Sequence, residues 1–399
     1  MSSPVPPPIR DLSLLLKHYS ALTPSVPSLI PQPHPFPKSK TLSLPQTQQW
    51  IVQNILPLDQ DEEGGGGTGT GSSLHWKKNF WKRVVKGIEE GFEERKREEE
   101  ESIEDEEVDS EILERMVEYL SSSSTSTGTT GGLSNRTYYW GSLDLPRNEW
   151  NFIKTREEGR MISGGTTGLR TWQACIALGN HFLIDSKIIK SSRNIIELGS
   201  GVGVLSLICA RIKKHQTGDD DEVGKVLATD VDEKVLELLK ENIELNGLQD
   251  EIQTLKLDWE LAQIASSEET SSESSYSSRA RAQAELLEWE TQAFGKEEEE
   301  QDRADLIIGA DIVYDPSLTS PLAATIYWLL SRSSTSKSQA IIAGTIRNES
   351  TWESFLNQCR CRDFKIEEIE LKKFKDGSGL VGAEGWEGEG VVRVVKLTL

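Results

Sequence analysis

Asn194-Ile195-Ile196-Glu197-Leu198-Gly199-Ser200-Gly201-Val202-Gly203-Val204-Leu205-Ser206-Leu207 is the stretch that decides the fold. An apolar strand runs into a tight glycine turn, and the chain leaves the turn along an amphipathic helix. Glycines at 199, 201 and 203 permit positive φ and let a ligand approach the backbone without meeting a Cβ. The helix that follows offers free N–H groups to whatever lies over the turn. Downstream, Lys225-Val226-Leu227-Ala228-Thr229-Asp230 is a second apolar strand, ending in a carboxylate where an adenosine ribose needs an acceptor for its hydroxyls. Lys234 to Asn246 then reads as a helix, with Val235, Leu238, Leu239 and Ile243 on one face and Asn246-Gly247 as its stop. Strand, glycine turn, helix, acid-ended strand and helix make half of a doubly wound α/β sheet.

The glycine spacing separates two kinds of nucleotide cofactor. A nicotinamide dinucleotide turn wants G-x-G-x-x-G, with the third glycine packing helix on strand. Here the third glycine comes one residue early, at 203, and Val204 follows it. Glu197 stands two residues before the first glycine, which is unusual for a dinucleotide turn. E-x-G-x-G-x-G resembles the S-adenosylmethionine loop of class I, seven-strand methyltransferases, so S-adenosyl-L-methionine is the cofactor it implies.

The chain has 399 residues, enough for two domains and a full-sized core, and a formal charge of −21. That balance argues against a nucleic-acid surface, which carries a basic footprint. Much of the charge is local: residues 98–111 hold ten acidic side chains in fourteen positions. Four cysteines make no disulfide framework, and Cys359-Arg360-Cys361 lacks a second pair of metal ligands. No metal site is expected. The N-terminal Met1-Ser2-Ser3-Pro4 start lacks a signal-peptide pattern, and no apolar run reaches the length of a membrane span. The expectation is a reduced, cytoplasmic protein with no membrane and no nucleic-acid partner.

Residues 1–135 read as an α-helical accessory domain with disordered insertions. Helical spacing is present over Asp11–Ser20, Gln46–Leu56, His75–Lys96 and Glu111–Leu120. Between them lie a proline-rich connector (Pro24–Pro37), a Gly/Ser/Thr loop (Gly64–Ser73) and a Ser/Gly linker (Ser121–Gly132). Residues 136–399 form the second domain. Thr137–Trp140 and Phe152–Lys154 look strand-like, and a glycine- and hydroxyl-rich loop leads into a helix from Thr171 to Ile184. Trp172, at the start of that helix, is expected beside the cofactor. Ile252–Trp259 is a third strand, with Asp258 and Trp259 placed to supply an acceptor and a flat wall for an adenine. Residues 262–303 are a Ser/Glu-rich low-complexity insertion, helical in part from Arg279 to Phe294. Ala304–Tyr314 is a buried parallel strand carrying Asp311 at its carboxyl end, where doubly wound sheets keep their chemistry. Gln339–Arg347 is the next strand. Phe364–Lys373 and Val391–Leu399 are two final strands with no helix between them, a closing antiparallel hairpin that methyltransferase sheets have and dinucleotide domains lack.

With these segments in line, the sequence resembles the eukaryotic family that methylates a lysine of translation elongation factor 2, among the seven-strand protein-lysine methyltransferases. The motifs that carry the likeness are Ser163-Gly164-Gly165-Thr166-Thr167-Gly168-Leu169-Arg170-Thr171-Trp172, Glu197-Leu198-Gly199-Ser200-Gly201, Leu257-Asp258-Trp259 and Ala310-Asp311-Ile312-Val313-Tyr314. Thr345-Ile346-Arg347-Asn348 and Leu397-Thr398-Leu399 add to it, and the match covers roughly 137–399. The resemblance implies a Rossmann-like seven-strand methyltransferase sheet. It also implies that Trp172, Gly199, Ser200, Gly201, Asp230, Trp259 and Ala310 line the S-adenosylmethionine site. Asp311 and Tyr314, the ends of a D-x-x-Y element, would sit by the target lysine, Asp311 meeting its ammonium and Tyr314 shaping an apolar slot. A protein substrate, elongation factor 2, is the partner implied. Three other readings stay open: a methyltransferase of another protein, a nucleic-acid methyltransferase, and a non-catalytic cofactor-binding adaptor.

Overall fold

Leu12, Leu15, Leu16 and Tyr19 give Ile9–Ser20 (α1) one buried face. Ser39–Leu42 (α2), Pro45–Asn54 (α3), Pro57–Gln60 (α4), Gly71–Glu98 (α5) and Ser110–Ser121 (α6) follow it. Phe80, Trp81, Val84 and Ile88 of α5 share a core with α1, where the Tyr19 and Phe80 rings lie 4.6 Å apart. The tail of the acidic run is part of this unit. Glu106 pairs with Arg95, and the Asp109 carboxylate accepts the Glu111 N–H to cap α6.

Leu133–Trp140 (β1) and Asn151–Glu158 (β2) pair antiparallel as a separate two-stranded sheet. Tyr139, Leu143 and Trp150 bury into the same core as the helices. The computed structural model therefore divides into Met1–Ser163 with Lys375–Trp386, and Gly164–Phe374 with Glu387–Leu399. The division falls at 163/164, not at the expected 135/136, because the hairpin's apolar side chains complete the helical core. The later segment joins that first unit through Lys17. Its ammonium is fully buried, donates to the carbonyls of Gly377 (3.0 Å), Ser378 (2.9 Å) and Gly379 (3.2 Å), and lies 5.2 Å from the Trp150 ring. Burial lowers its pKa to about 8. The structure describes residues 9–23, 36–60, 71–98, 106–122, 132–158, 167–214, 224–267, 273–295, 303–333, 338–382 and 390–399. Residues 163–166 of the expected cofactor loop, 64–70 of the expected flexible loop and most of the expected linkers lie outside them. Gly71–Ser73, expected as loop, begin α5.

The second unit is the expected α/β sheet. After Gln173–Ile184 (α7) and Lys187–Ser191 (α8), Ile195–Leu198 (β3) is buried at all four positions, as a central strand covered on both faces must be. Val204–Lys214 (α9), Val226–Asp230 (β4), Glu233–Leu245 (α10) and Ile252–Lys256 (β5) alternate in the doubly wound manner. Glu260–Ser266 (α11) and Glu273–Phe294 (α12) occupy most of the expected insertion. Leu286 and Trp289, three residues apart, bury one face of α12, and Trp289 joins the main core. Leu306–Ala310 (β6), Thr319–Ser331 (α13), Gln339–Ile346 (β7), Glu349–Arg360 (α14), Lys365–Glu368 (β8) and Val391–Thr398 (β9) complete the unit.

The seven strands run in the order β5-β4-β3-β6-β7-β9-β8, parallel except for β9, which is antiparallel to both β7 and β8. The strand order reverses between β3 and β6, so the carboxyl ends of β3, β4 and β6 border one crevice. Three strands stop sooner than expected. β8 ends at Glu368, not Lys373. β5 ends at Lys256, before Asp258 and Trp259, and β6 ends at Ala310, because Asp311 takes a left-handed φ of +55°.

Candidate functional site

A cavity of about 610 Å³ opens at the carboxyl ends of β3, β4 and β6. The glycine turn forms its floor. Gly199 and Gly201 adopt φ of +62° and +54°. A Cβ on Gly199 would come 2.7 Å from Ile312 Cγ2 and 3.5 Å from the Trp259 ring, so the close approach excludes any side chain. Glu197 binds the turn to its helix. Its buried carboxylate accepts the Ser206 N–H (2.9 Å) and the Ser206 hydroxyl, and its carbonyl accepts from Thr229 Oγ1 (2.7 Å). Burial outweighs these bonds and raises the Glu197 pKa to about 7.

Asp230, at the end of β4, accepts from Gly201 N–H (3.2 Å) and Asp232 N–H (3.1 Å). Burial raises its pKa as well. Asp258 caps α11 through the Glu260 N–H, and Trp259 leans its ring toward Gly199. On the opposite side, Trp172 precedes α7, and its indole N–H donates to the Thr167 carbonyl (3.0 Å). The carbonyl of Gly168 lies 3.0 Å from where a Cβ on Gly201 would be. The segment Thr167–Trp172 is thus wedged against the glycine turn.

Asp311 links three elements. One carboxylate oxygen accepts the Ala174 N–H at the start of α7 (2.7 Å) and the Thr345 hydroxyl (3.2 Å); the other accepts the Thr345 N–H in β7 (2.8 Å). Tyr314 stands 56% exposed at the rim, its hydroxyl bonded to the Thr167 side chain. All nine expected site residues, Trp172, Gly199, Ser200, Gly201, Asp230, Trp259, Ala310, Asp311 and Tyr314, line this one cavity. Sequence reasoning missed the full ring of carboxylates, in which Glu197, Asp232, Glu260 and Asp315 join Asp230, Asp258 and Asp311. It also missed Arg170 as a lining group and Arg347, whose guanidinium lies 5.1 Å from the Trp172 ring. Arg170 adjoins Trp172 in the sequence, but only the fold brings Arg347 to the same ring.

A sequence model of lysine methyltransferases matches residues 155–272 and 269–360, more than half of the chain. The chain belongs to the lysine methyltransferase family. It is 31% identical over 232 residues to the protein-lysine N-methyltransferase EFM3 of Chaetomium thermophilum, covering 58% of each chain. It is 28% identical over 220 residues to EFM3 of Saccharomyces cerevisiae, covering 52% of this chain and 53% of that one. With human protein-lysine N-methyltransferase EEF2KMT the identity is 26% over 208 residues, covering 52% and 54%. The chain thus spans between half and three-fifths of the length of these relatives.

The cavity suits the cofactor that the glycine turn implies. Its volume falls in the range of about 300–1,000 Å³ that small-ligand sites occupy. Asp230 presents an acceptor at the ribose position, and the Cβ-free turn leaves room for a nucleoside against Trp259. A ring of carboxylates favours a ligand with positive charge, as a sulfonium has.

Proposed function

We propose that this chain is an S-adenosyl-L-methionine-dependent protein-lysine N-methyltransferase, acting in the cytoplasm on a lysine of translation elongation factor 2. The reading is carried by the convergence of the glycine turn, the acid end of β4, two tryptophans and the D-x-x-Y element on one cavity. The names of the relatives support the reaction class. When bound, the cofactor supplies an electrophilic methyl group on a sulfonium. Trp259 and Asp258 hold the adenine, Asp230 the ribose, and Gly199, Ser200, Gly201, Trp172 and Ala310 the remainder.

The substrate lysine has an ordinary pKa of about 10.4 and must lose a proton before it becomes a nucleophile. The carboxylates around the cavity draw the cationic side chain in, and Tyr314 at the rim shapes its entry. Asp311 was expected to meet the ammonium. Its carboxylate already accepts three hydrogen bonds from Ala174 and Thr345, so its role in this reading is to position α7, and Trp172 with it, against β7. Transfer to an amine is mainly a matter of alignment, so such fixing bears directly on rate.

The test is the purified chain with radiolabelled S-adenosylmethionine and a eukaryotic cell extract, beside an Asp230→Ala control. One labelled band at the size of elongation factor 2, absent from the control, is expected. Label in other proteins would keep the reaction and discard the substrate, and label confined to RNA would overturn both.

A further inference from the structure

Seven carboxylate side chains line the cavity, and among the described lining residues a single side chain, Arg170, carries positive charge. Arg170 is only 7% exposed, and its guanidinium carbon lies 5.3 Å from the centre of the Trp172 ring. It stands on the segment Thr167–Trp172, which is held on the glycine turn by the close approach of Gly168 to Gly201 and by the Trp172–Thr167 hydrogen bond. An arginine buried in this way, stacked on an aromatic face at the wall of an acidic cavity, has a fixed place and a directional fork of donors.

The cofactor of the proposed function poses an electrostatic problem for such a cavity. Its sulfonium and its α-ammonium suit a ring of carboxylates, but its α-carboxylate does not. An anion placed among like charges needs one strong local donor. The adenosine end is accounted for by Asp258, Trp259 and Asp230, at the ends of β4 and β5. The methionine end is left for the side of the cavity bounded by Thr167–Trp172 and Ala310–Asp311. We infer that Arg170 holds the α-carboxylate of the methionine moiety, and so selects ligands that carry the intact amino acid. This inference rests on the proposed function.

Calorimetry on the full chain with two nucleosides tests it. S-adenosylhomocysteine carries the amino acid; 5′-methylthioadenosine shares the adenosine and the thioether and lacks it. The wild-type chain should prefer S-adenosylhomocysteine. Arg170→Gln should weaken S-adenosylhomocysteine by at least about 10-fold, as loss of a charge-assisted bond does, and leave methylthioadenosine within about twofold. Arg170→Lys should retain part of the preference. Equal weakening of both nucleosides, or of neither, would overturn the assignment while leaving the enzyme reading intact. If Arg170→Gln fails to fold, the carboxamide analogue of S-adenosylhomocysteine asks the same question of the wild-type chain. It should bind at least about 10-fold more weakly than the acid, and equal binding would overturn the assignment. Binding of no nucleoside by the wild-type chain would remove the cofactor reading itself, and this inference with it.

Discussion

The carboxylate of Asp311 accepts the backbone N–H of Ala174, a residue 137 positions earlier in the chain, at 2.7 Å. α7 has no side-chain cap from Trp172, the residue that precedes it, so Asp311 serves as that helix's acceptor from across the sheet. Its other bonds go to Thr345 on β7. An amide in its place would turn an N–H₂ toward one of these donors. Asp311→Asn should therefore cost about 2 kcal/mol and lower the melting temperature by about 4–8 °C, with turnover reduced at saturating cofactor. Calorimetry and initial rates check both. Unchanged stability with lost turnover would return Asp311 to direct contact with the substrate ammonium.

Gly199 and Gly247 share nearly the same backbone, φ +62° and +61°, in different surroundings. A Cβ on Gly247 would meet nothing within 4 Å, whereas one on Gly199 would strike Ile312. Gly247→Ala should cost only the left-handed strain, about 1 kcal/mol, and leave cofactor binding alone. Gly199→Ala should cost at least about 2 kcal/mol more and abolish measurable binding. Paired urea titrations and calorimetry give the comparison.

The folded-state pKa of Glu197 is raised, to about 7 from an ordinary 4.5, with burial as the main cause. The folded chain therefore binds this proton more tightly than the unfolded chain does. Its contribution to stability is full below about pH 4.5 and is lost as pH rises through about 7. Glu197→Gln has no proton to lose at that position. Melting temperatures measured from pH 5 to pH 8 should show the variant gaining on the wild type as pH rises, and a constant difference would refute the shift.

Lys17 offers three donors to three carbonyls of the segment Gly377–Gly379. Lys17→Met keeps much of the volume and strands those acceptors. It should destabilise the first unit by about 2–4 kcal/mol and speed amide exchange across 375–386. Exchange by mass spectrometry reads this directly, and unaltered protection there would mean the segment is held by other contacts.

What the sequence disclosed was local. The glycine turn, the acid end of β4 and the apolar periodicity of α1, α5 and α10 are each readable within a dozen residues, and each lies where it was expected. What it concealed depends on contacts distant in sequence. The break of β6 at Asp311 is forced by partners at 174 and 345, so no window around 311 contains its cause. The Ser/Gly-rich linker suggests a boundary at 135/136, whereas Tyr139 and Trp150 belong to a core built from residues 12–112. α12 begins at Glu273 within a Ser/Glu-rich run, ahead of the expected Arg279, and its buried face is held by Ala282, Leu286 and Trp289. Arg170 lies within a motif that the sequence shows. Among the described lining residues it is the one cation in a ring of carboxylates, which a one-dimensional reading cannot count.

The path of the chain through its two units constrains the order in which the protein can be completed. Residues 375–386 belong to the first unit but are synthesised only after all of Gly164–Phe374. Until then the nascent first unit lacks the three carbonyls that Lys17 finally meets, and its ammonium must stay hydrated. Both units are thus finished late, the first with 375–386 and the second with β9 in 387–399. A shortened chain beginning at Gly164 would carry 375–386, with Leu380 and Val381, cut off from the core that buries them. Simple truncation cannot separate the two halves; a separable second unit would need that segment replaced by a polar linker between Phe374 and Glu387.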